Sequence, residues 1–254
     1  MPSTEQGIII KSPQEIAVMR DAGKVLAEIL AVLEQKAAAG MTTADLDGIA
    51  AKEMAAHGVT PSFLGYRGYP AHVCVSVNDE IVHGIPGPRV LKEGDIVGID
   101  CGIIFQGFQS DSAMTIGIGE IAPEAARLID VTRESLEQGI RAATAGARVT
   151  DIGAAVQAYA EQAGYSVVRE YVGHGIGHAM HEEPQVPNFG PGGKGPLLRP
   201  GMALAIEPMV NIGGWETRVG PDRWTVFTKD GSLSAHFEHT IAITDSDPEV
   251  LTRR

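Results

Sequence analysis

Apolar residues recur at helical spacing behind Ser12-Pro13-Gln14-Glu15, where Ile16, Met19, Leu26, Leu30 and Leu33 fall on one face. Ser12 offers a capping hydroxyl, Pro13 suits a first helical turn, and Glu15 completes a capping box. Gly40 lies past the end of this helix. The pattern predicts a second helix from about Thr43 to His57, closed by Gly58. The period then shortens to that of strands. Val73-Cys74-Val75-Ser76-Val77 reads as one strand. Ile96 to Ile104 reads as a longer, nearly continuous apolar strand, broken by Asp100.

The later part of the chain repeats this plan. Pro123 opens a helical stretch that Gly146 ends, and a further helix runs from about Thr150 to Ala163 with Gly164 beyond it. Gly40, Asp45, Leu46 and Gly58 find counterparts in Gly146, Asp151, Ile152 and Gly164 at one constant offset. Leu91-Lys92-Glu93-Gly94 corresponds to Leu198-Arg199-Pro200-Gly201 at almost the same offset. An acid follows each of these glycines at the same distance, inside an apolar strand: Asp100 after Gly94 and Glu207 after Gly201. Two copies of so long a period do not make a solenoid. The expectation is a duplicated α+β architecture whose halves face each other, with Asp100 and Glu207 as counterparts across a central cleft. The main break in the correspondence, Glu183 to Pro196, is rich in proline and glycine and reads as a surface loop over that cleft.

Length and composition narrow the class. A chain of 254 residues, 44% hydrophobic and 20% charged, suits one large globular domain or two fused small ones. A net charge of −12 without a long basic run argues against tight electrostatic binding to nucleic acid. Cys74 and Cys101 are the only cysteines, which gives neither a disulfide framework nor a zinc knuckle. Met1 to Lys11 lacks the basic region and apolar core of a secretory signal. No apolar run approaches the roughly 20 residues that span a bilayer, so the cytoplasm is the expected compartment.

The candidate chemistry lies in acids and one imidazole set beside small or apolar neighbours. Asp100 is costly to bury without a partner, though a strand-end acid capping a turn remains the simpler alternative. Asp111 follows after Gly102 to Gln109, a spacing that suits a hairpin returning the chain beside its start. Two such acids repel unless a cation sits between them. His174 lies among Gly173, Gly175 and Gly177, which let backbone approach closely and disfavour a helix, so His178 is discounted as a helical zinc partner. His181, in His181-Glu182-Glu183-Pro184, reads equally as a supporting donor or as an exposed side chain. Glu207 precedes Pro208, and Glu238 precedes His239 and a strand from Thr240 to Thr244. Four carboxylates would be neutralised by two divalent cations, and oxygen donors with one imidazole suit Mn, Fe, Co or Zn. No phosphate loop follows Gly190 to Gly195, no Gly-x-Ser-x-Gly element occurs, and nothing marks Cys74 as a nucleophile.

Taken together, Ile81-Val82-His83-Gly84-Ile85-Pro86, the Asp100/Asp111 pair, Gly173 to Gly177, His181 to Pro184, Ile206-Glu207-Pro208-Met209 and Ser234 to Thr240 resemble type I methionine aminopeptidase of peptidase family M24. The resemblance runs from about Ser12 to Asp245 with the motifs in the family's order. It implies the α+β "pita-bread" fold, with two pseudo-symmetric halves, a curved antiparallel β core and outer helices. Residues 1–12 would form an N-terminal segment and 13–254 one catalytic domain, its halves at about 13–120 and 121–245. By the same resemblance Asp100, Asp111, His174, Glu207 and Glu238 bind two metal ions, with Co, Mn, Fe, Zn or Ni as candidates. Asp100 serves one ion, His174 and Glu207 the other, and Asp111 and Glu238 bridge. A hydroxide between the ions attacks the carbonyl after the first methionine, with Glu207 as proton shuttle and His83 and His181 contacting the substrate. Tyr66, Tyr69, Cys74, Met180 and Trp224 correspond to the methionine pocket.

Met180 stands where relatives often carry phenylalanine, and Ser112-Ala113 where threonine and serine are common. The implied partners are the N-terminal methionine peptides of nascent proteins, with transient ribosome contact, and the implied state is a monomer away from membranes. X-Pro dipeptidases and creatinase relatives share the five ligands but usually carry a large extra N-terminal domain. A non-catalytic binding protein on this fold would lose ligands and gain basic patches; this chain keeps all five and is acidic.

Overall fold

A computed structural model describes residues 7–254. Part of the predicted N-terminal segment therefore lies outside the described residues. Four helices form where the pattern predicts them: α1 Pro13–Lys36, α2 Thr43–His57, α3 Pro123–Ala142 and α4 Val149–Gln162. Ser12 and Glu15 form the reciprocal capping box at the start of α1. The α3 helix ends before the predicted stop at Gly146.

The central sheet explains the internal repeat. Across it, strand Val73–Val77 pairs with Ile96–Phe105, which pairs with Phe108–Gly117 in the predicted hairpin. Phe108–Gly117 pairs with Glu238–Ala242, which pairs with Ala203–Ile206 and then Gly173–Gly175. Strand order thus rises to the Phe108–Gly117/Glu238–Ala242 seam and descends on the other side in the reverse sense. All of these pairings are antiparallel. Local contacts repeat as well. Gly94 and Gly201 adopt φ of +90° and +87°, a region that disfavours residues bearing a Cβ. Their N–H groups donate to Ile118 and Ile243 respectively, both at 2.9 Å. Isolated bridges join Thr42 to Val90 and Arg148 to Leu197, the matching positions of the two halves.

Each half has its own core. Leu26, Ile29, Leu33 and Leu46 from α1 and α2 pack on Val75, Val97, Ile99 and Ile103. Leu128, Ile140 and Ile152 from α3 and α4 pack on Leu204, Ile206 and Ile241. The helices thus occlude the apolar face of the sheet, leaving the other face for the acids.

The segment after Glu182 departs from expectation. Glu182–Val186 is a strand paired with Gly173–Gly175, with Pro184 and Val186 buried and Glu183 and Gln185 exposed. Proline within this short run had obscured an alternating strand. The remainder packs on the start of α4, where Gly193 N–H donates to Asp151 and Lys194 N–H donates to Thr150. It braces the outer helix layer and does not cover the cleft.

The chain beyond the central strand crosses α1. Leu251 N–H donates to Thr240 O at 2.9 Å, and Arg20 forms a two-pronged ion pair with Glu249. Gly23 sits at the crossing, and an added Cβ would overlap the Leu251 carbonyl oxygen. Backbone yields less readily than a side chain tip. Gly23→Ala is expected to cost about 2–3 kcal/mol, read as a lowered midpoint in denaturant with an unchanged slope. An unchanged midpoint would mean that the crossing segment contributes nothing.

Candidate metal centre and substrate pocket

Register places the acids. In the antiparallel sheet Asp100 lies opposite Ala113, and Ala113 lies opposite Glu238. Cys74 lies opposite Asp100 on the outer side. Directly opposed residues share a face, so Cys74, Asp100, Ala113 and Glu238 form one row. Asp111, two positions before Ala113, shares that face. On the far side, His239 pairs with Ile206 and His174 pairs with Ala205. Alternation then brings His174 to the same face, and Glu207 follows directly beyond the strand end. All five predicted ligands converge because of register.

Hydroxyl groups lock the two central acids from behind. Thr240 Oγ1 accepts from Asp111 N–H and donates to Asp111 O, at 3.1 and 2.8 Å. Ser112 Oγ donates to Glu238 O at 2.7 Å. Buried Asn188, from the segment read as a loop, donates to Glu207 O at 3.1 Å. The supporting role of these residues was not legible in the sequence, because isolated hydroxyls and amides are common.

Asp111, His174 and Glu238 are buried, and each offers a ligand atom within 4.8 Å of the others'. Asp100 Oδ1, Asp111 Oδ1 and Glu238 Oε1 are buried without a hydrogen-bond partner. Burial pushes the Asp100 carboxyl up to about 7. Burial, reinforced by the neighbouring carboxylates, holds Asp111, Glu207 and Glu238 well above the ordinary range. Burial lowers His174 to about 4, which leaves the ring neutral near pH 7. Its Nδ1 lies 2.9 Å from Gly175 O. A carbonyl only accepts, so Nδ1 carries the proton and Nε2 keeps its lone pair. That Nε2 lies 3.6 Å from Glu207 Oε1.

A cavity of about 170 Å³ opens over these groups, lined by all five predicted ligands and by His83, His181, Tyr66, Tyr69, Cys74, Met180 and Trp224. Phe63 and Arg67 complete the lining and were not singled out by the sequence, although their neighbours Tyr66 and Tyr69 were. Tyr69 O–H lies 2.9 Å from Gly84 O and 3.1 Å from Val73 O, and Trp224 packs edge-on against its ring at 5.1 Å. His83 holds a left-handed φ of +60°, with Trp224 and Tyr171 edge-on to its ring. Burial lowers it to about 4. His181 stacks on Tyr66 and pairs its Nδ1 with the Tyr66 hydroxyl at 2.8 Å. His178 faces away, exposed against Phe108 and Gly107 O. The buried Lys11–Glu182 pair, 2.6 Å apart, ties down the turn that presents Met180 and His181, since Glu182 also accepts from Ala179 N–H.

Comparison with known proteins agrees with this arrangement. Residues 17–245 match metallopeptidase family M24. A methionine aminopeptidase of Clostridium acetobutylicum is 54% identical over 246 residues, spanning 96% of this chain and 98% of the relative. The crystal structure of methionine aminopeptidase from Thermotoga maritima superposes with a TM-score of 0.95 at 45% identity, covering 97% of this chain and 100% of that one. The chain belongs to the type I methionine aminopeptidases of family M24.

Prolidase from Pyrococcus furiosus, at 20% identity and a TM-score of 0.78, shares the fold alone. Methionine aminopeptidases of this family are metallopeptidases, and the donor set here fits divalent cations. It offers hard carboxylate oxygens, three of them orphaned in the interior, and a neutral imidazole with a free lone pair. Without a cation, four neighbouring carboxylates would repel one another in a buried site.

Proposed function

We propose that this chain removes the first methionine from nascent proteins and peptides whose second residue is small and uncharged. The supporting observation is a cavity in which the carboxylate row meets an aromatic and thioether lining. Residues 13–254 would act as one catalytic unit, with halves at about 13–120 and 121–245. It would work in the cytoplasm as a monomer in transient contact with ribosomes.

Two divalent ions balance four carboxylates. Asp100 would hold one, His174 and Glu207 the other, and the two seam acids, Asp111 and Glu238, would be shared. Bound divalent metal supplies Lewis acidity and makes a water acidic enough to ionise near neutral pH. The protein supplies the rest. Tyr69, Cys74, Met180 and Trp224 would enclose the methionine side chain and exclude water, the thioether lying against aromatic rings. His181 has Nδ1 engaged by Tyr66, which leaves Nε2 for the scissile peptide group. His83 is neutral near pH 7 and would orient the substrate through hydrogen bonding. Glu207, at the edge of the carboxylate row, would take a proton and return it to the leaving amine.

The deciding measurement is methionine release from Met-Ala-Ser and Met-Leu-Ser with added Mn or Co. Release from the first, at least about tenfold slower release from the second, and loss of both with chelator are expected. Equal rates would remove the size selectivity, and chelator-insensitive release would remove the metal mechanism.

A further inference from the structure

The cavity lining contains one permanent cation, Arg67, facing a site of four carboxylates. Arg67 and His181 are its only exposed members. Asp111, His174 and Glu238 are buried, and the exposed His181 reaches them, its ring 4.3 Å from that of His174. Granted the aminopeptidase reading above, the first residue enters the cavity and the remaining chain must leave past Arg67 and His181.

Arg67 is held in place by its loop. It adopts φ of +49° between Gly65 and Gly68, at +84° and +88°. Tyr66 N–H donates to Phe63 O, Gly68 N–H to Gly65 O and Tyr69 N–H to Tyr66 O, at 2.9, 3.1 and 2.9 Å. The guanidinium lies 5.4 Å from the centre of the Tyr66 ring, which also stacks with His181. Among the described residues no acidic side chain forms an ion pair with Arg67, so its guanidinium is not already engaged by a carboxylate of the protein. An anchored, unpaired guanidinium beside the exit presents a carboxylate-binding fork to whatever passes it.

We infer that Arg67 is a specificity-determining residue that favours a carboxylate on the substrate just beyond its second residue. The carboxylate can be an Asp or Glu side chain at the third position or the free terminus of a short peptide. The chain's overall negative charge acts in the opposite sense, but at physiological salt it is screened beyond about 8 Å, which leaves the local cation dominant at the mouth.

The test compares kcat/KM for C-terminally amidated Met-Ala-Glu-Ser, Met-Ala-Gln-Ser and Met-Ala-Lys-Ser, with the metal-loaded full chain. The Glu peptide should exceed the Lys peptide by about three- to tenfold at low salt, an advantage that shrinks at high salt. In R67Q the ratio should fall to near one, and R67K should retain much of it. Taking ratios within each variant cancels differences in folded or metal-loaded fraction. Met-Ala-Ser as free acid and as amide separates the two carboxylate sources: a preference for the acid that R67Q removes assigns the terminus as well as the side chain, and no preference restricts Arg67 to the side chain. A Glu/Lys ratio of one in the unaltered chain, or an equal ratio in R67Q, overturns the inference while leaving the aminopeptidase reading intact. No release from any peptide overturns both.

Discussion

Asp111→Asn should abolish methionine release and at the same time make the metal-free protein more stable. Asp111 is buried beside Asp100 on the adjoining strand and Glu238 across the seam, and its Oδ1 has no partner. As a proposed shared ligand, its loss should cut turnover by at least about a hundredfold, since even residues one step removed from a metal cost 10- to 100-fold. In the absence of metal the same carboxylate is a liability, because burial and the neighbouring Asp100 and Glu207 carboxylates oppose its ionisation. The amide has nearly the same shape and no charge. The metal-free variant should therefore gain about 1–2 kcal/mol, roughly 3–6 °C in melting temperature. Thermal melts of chelator-treated protein, paired with activity after metal addition, read both effects. Wild-type turnover in the variant would remove Asp111 from the ligand set. A lower melting temperature would show that repulsion is not what this acid contributes to the empty site.

Chelator-treated protein should lose stability as pH rises, and added Mn or Co should reverse the trend. The folded protein holds the Asp100 carboxyl near 7, whereas the unfolded chain returns it to the usual carboxylate range near 4. Between those values the folded state binds more protons than the unfolded state, so unfolding free energy declines with pH. The contribution is complete below the unfolded value and is lost as pH climbs through the folded one. Asp111, Glu207 and Glu238, all shifted upward, extend the loss in the same direction. Metal binding requires the deprotonated forms and so strengthens over the same range. Metal at a thousand times its dissociation constant adds about 4 kcal/mol. The melting temperature of the metal-free protein should thus fall from pH 5 to pH 8, while the gap between metal-loaded and metal-free protein widens. A gap that narrows with pH would contradict the proposed carboxylate site.

The outer helices were legible because their caps and periodicity are local. So was the duplication, since glycines at turns and acids after them recur at fixed offsets. The row of ligands was legible only as a set of unusual acids; the register that aligns Asp100, Ala113 and Glu238 depends on strands distant in sequence. Pro184 concealed a strand, because proline inside a short run normally argues against one. Asn188, Ser112 and Thr240 stayed hidden because their work is done through backbone groups of other strands. Arg67 escaped notice for a different reason. An arginine in a glycine-rich turn is ordinarily solvated, and only the fold brings that turn to the rim of the cavity.

The seam also sets the order in which the molecule can assemble during synthesis. Asp111 and Thr240 share two hydrogen bonds across a separation of 129 residues. Each half carries a core of its own and can collapse early, yet the first half contributes only Asp100 and Asp111 to the proposed ligand row. His174, Glu207 and Glu238 come from the second, and the strand bearing Glu238 follows every other member of that row. Contacts this remote close slowly. A nascent chain therefore cannot complete the proposed ligand set until Glu238–Ala242 docks on Phe108–Gly117, so tight metal uptake would serve as a late reporter of folding.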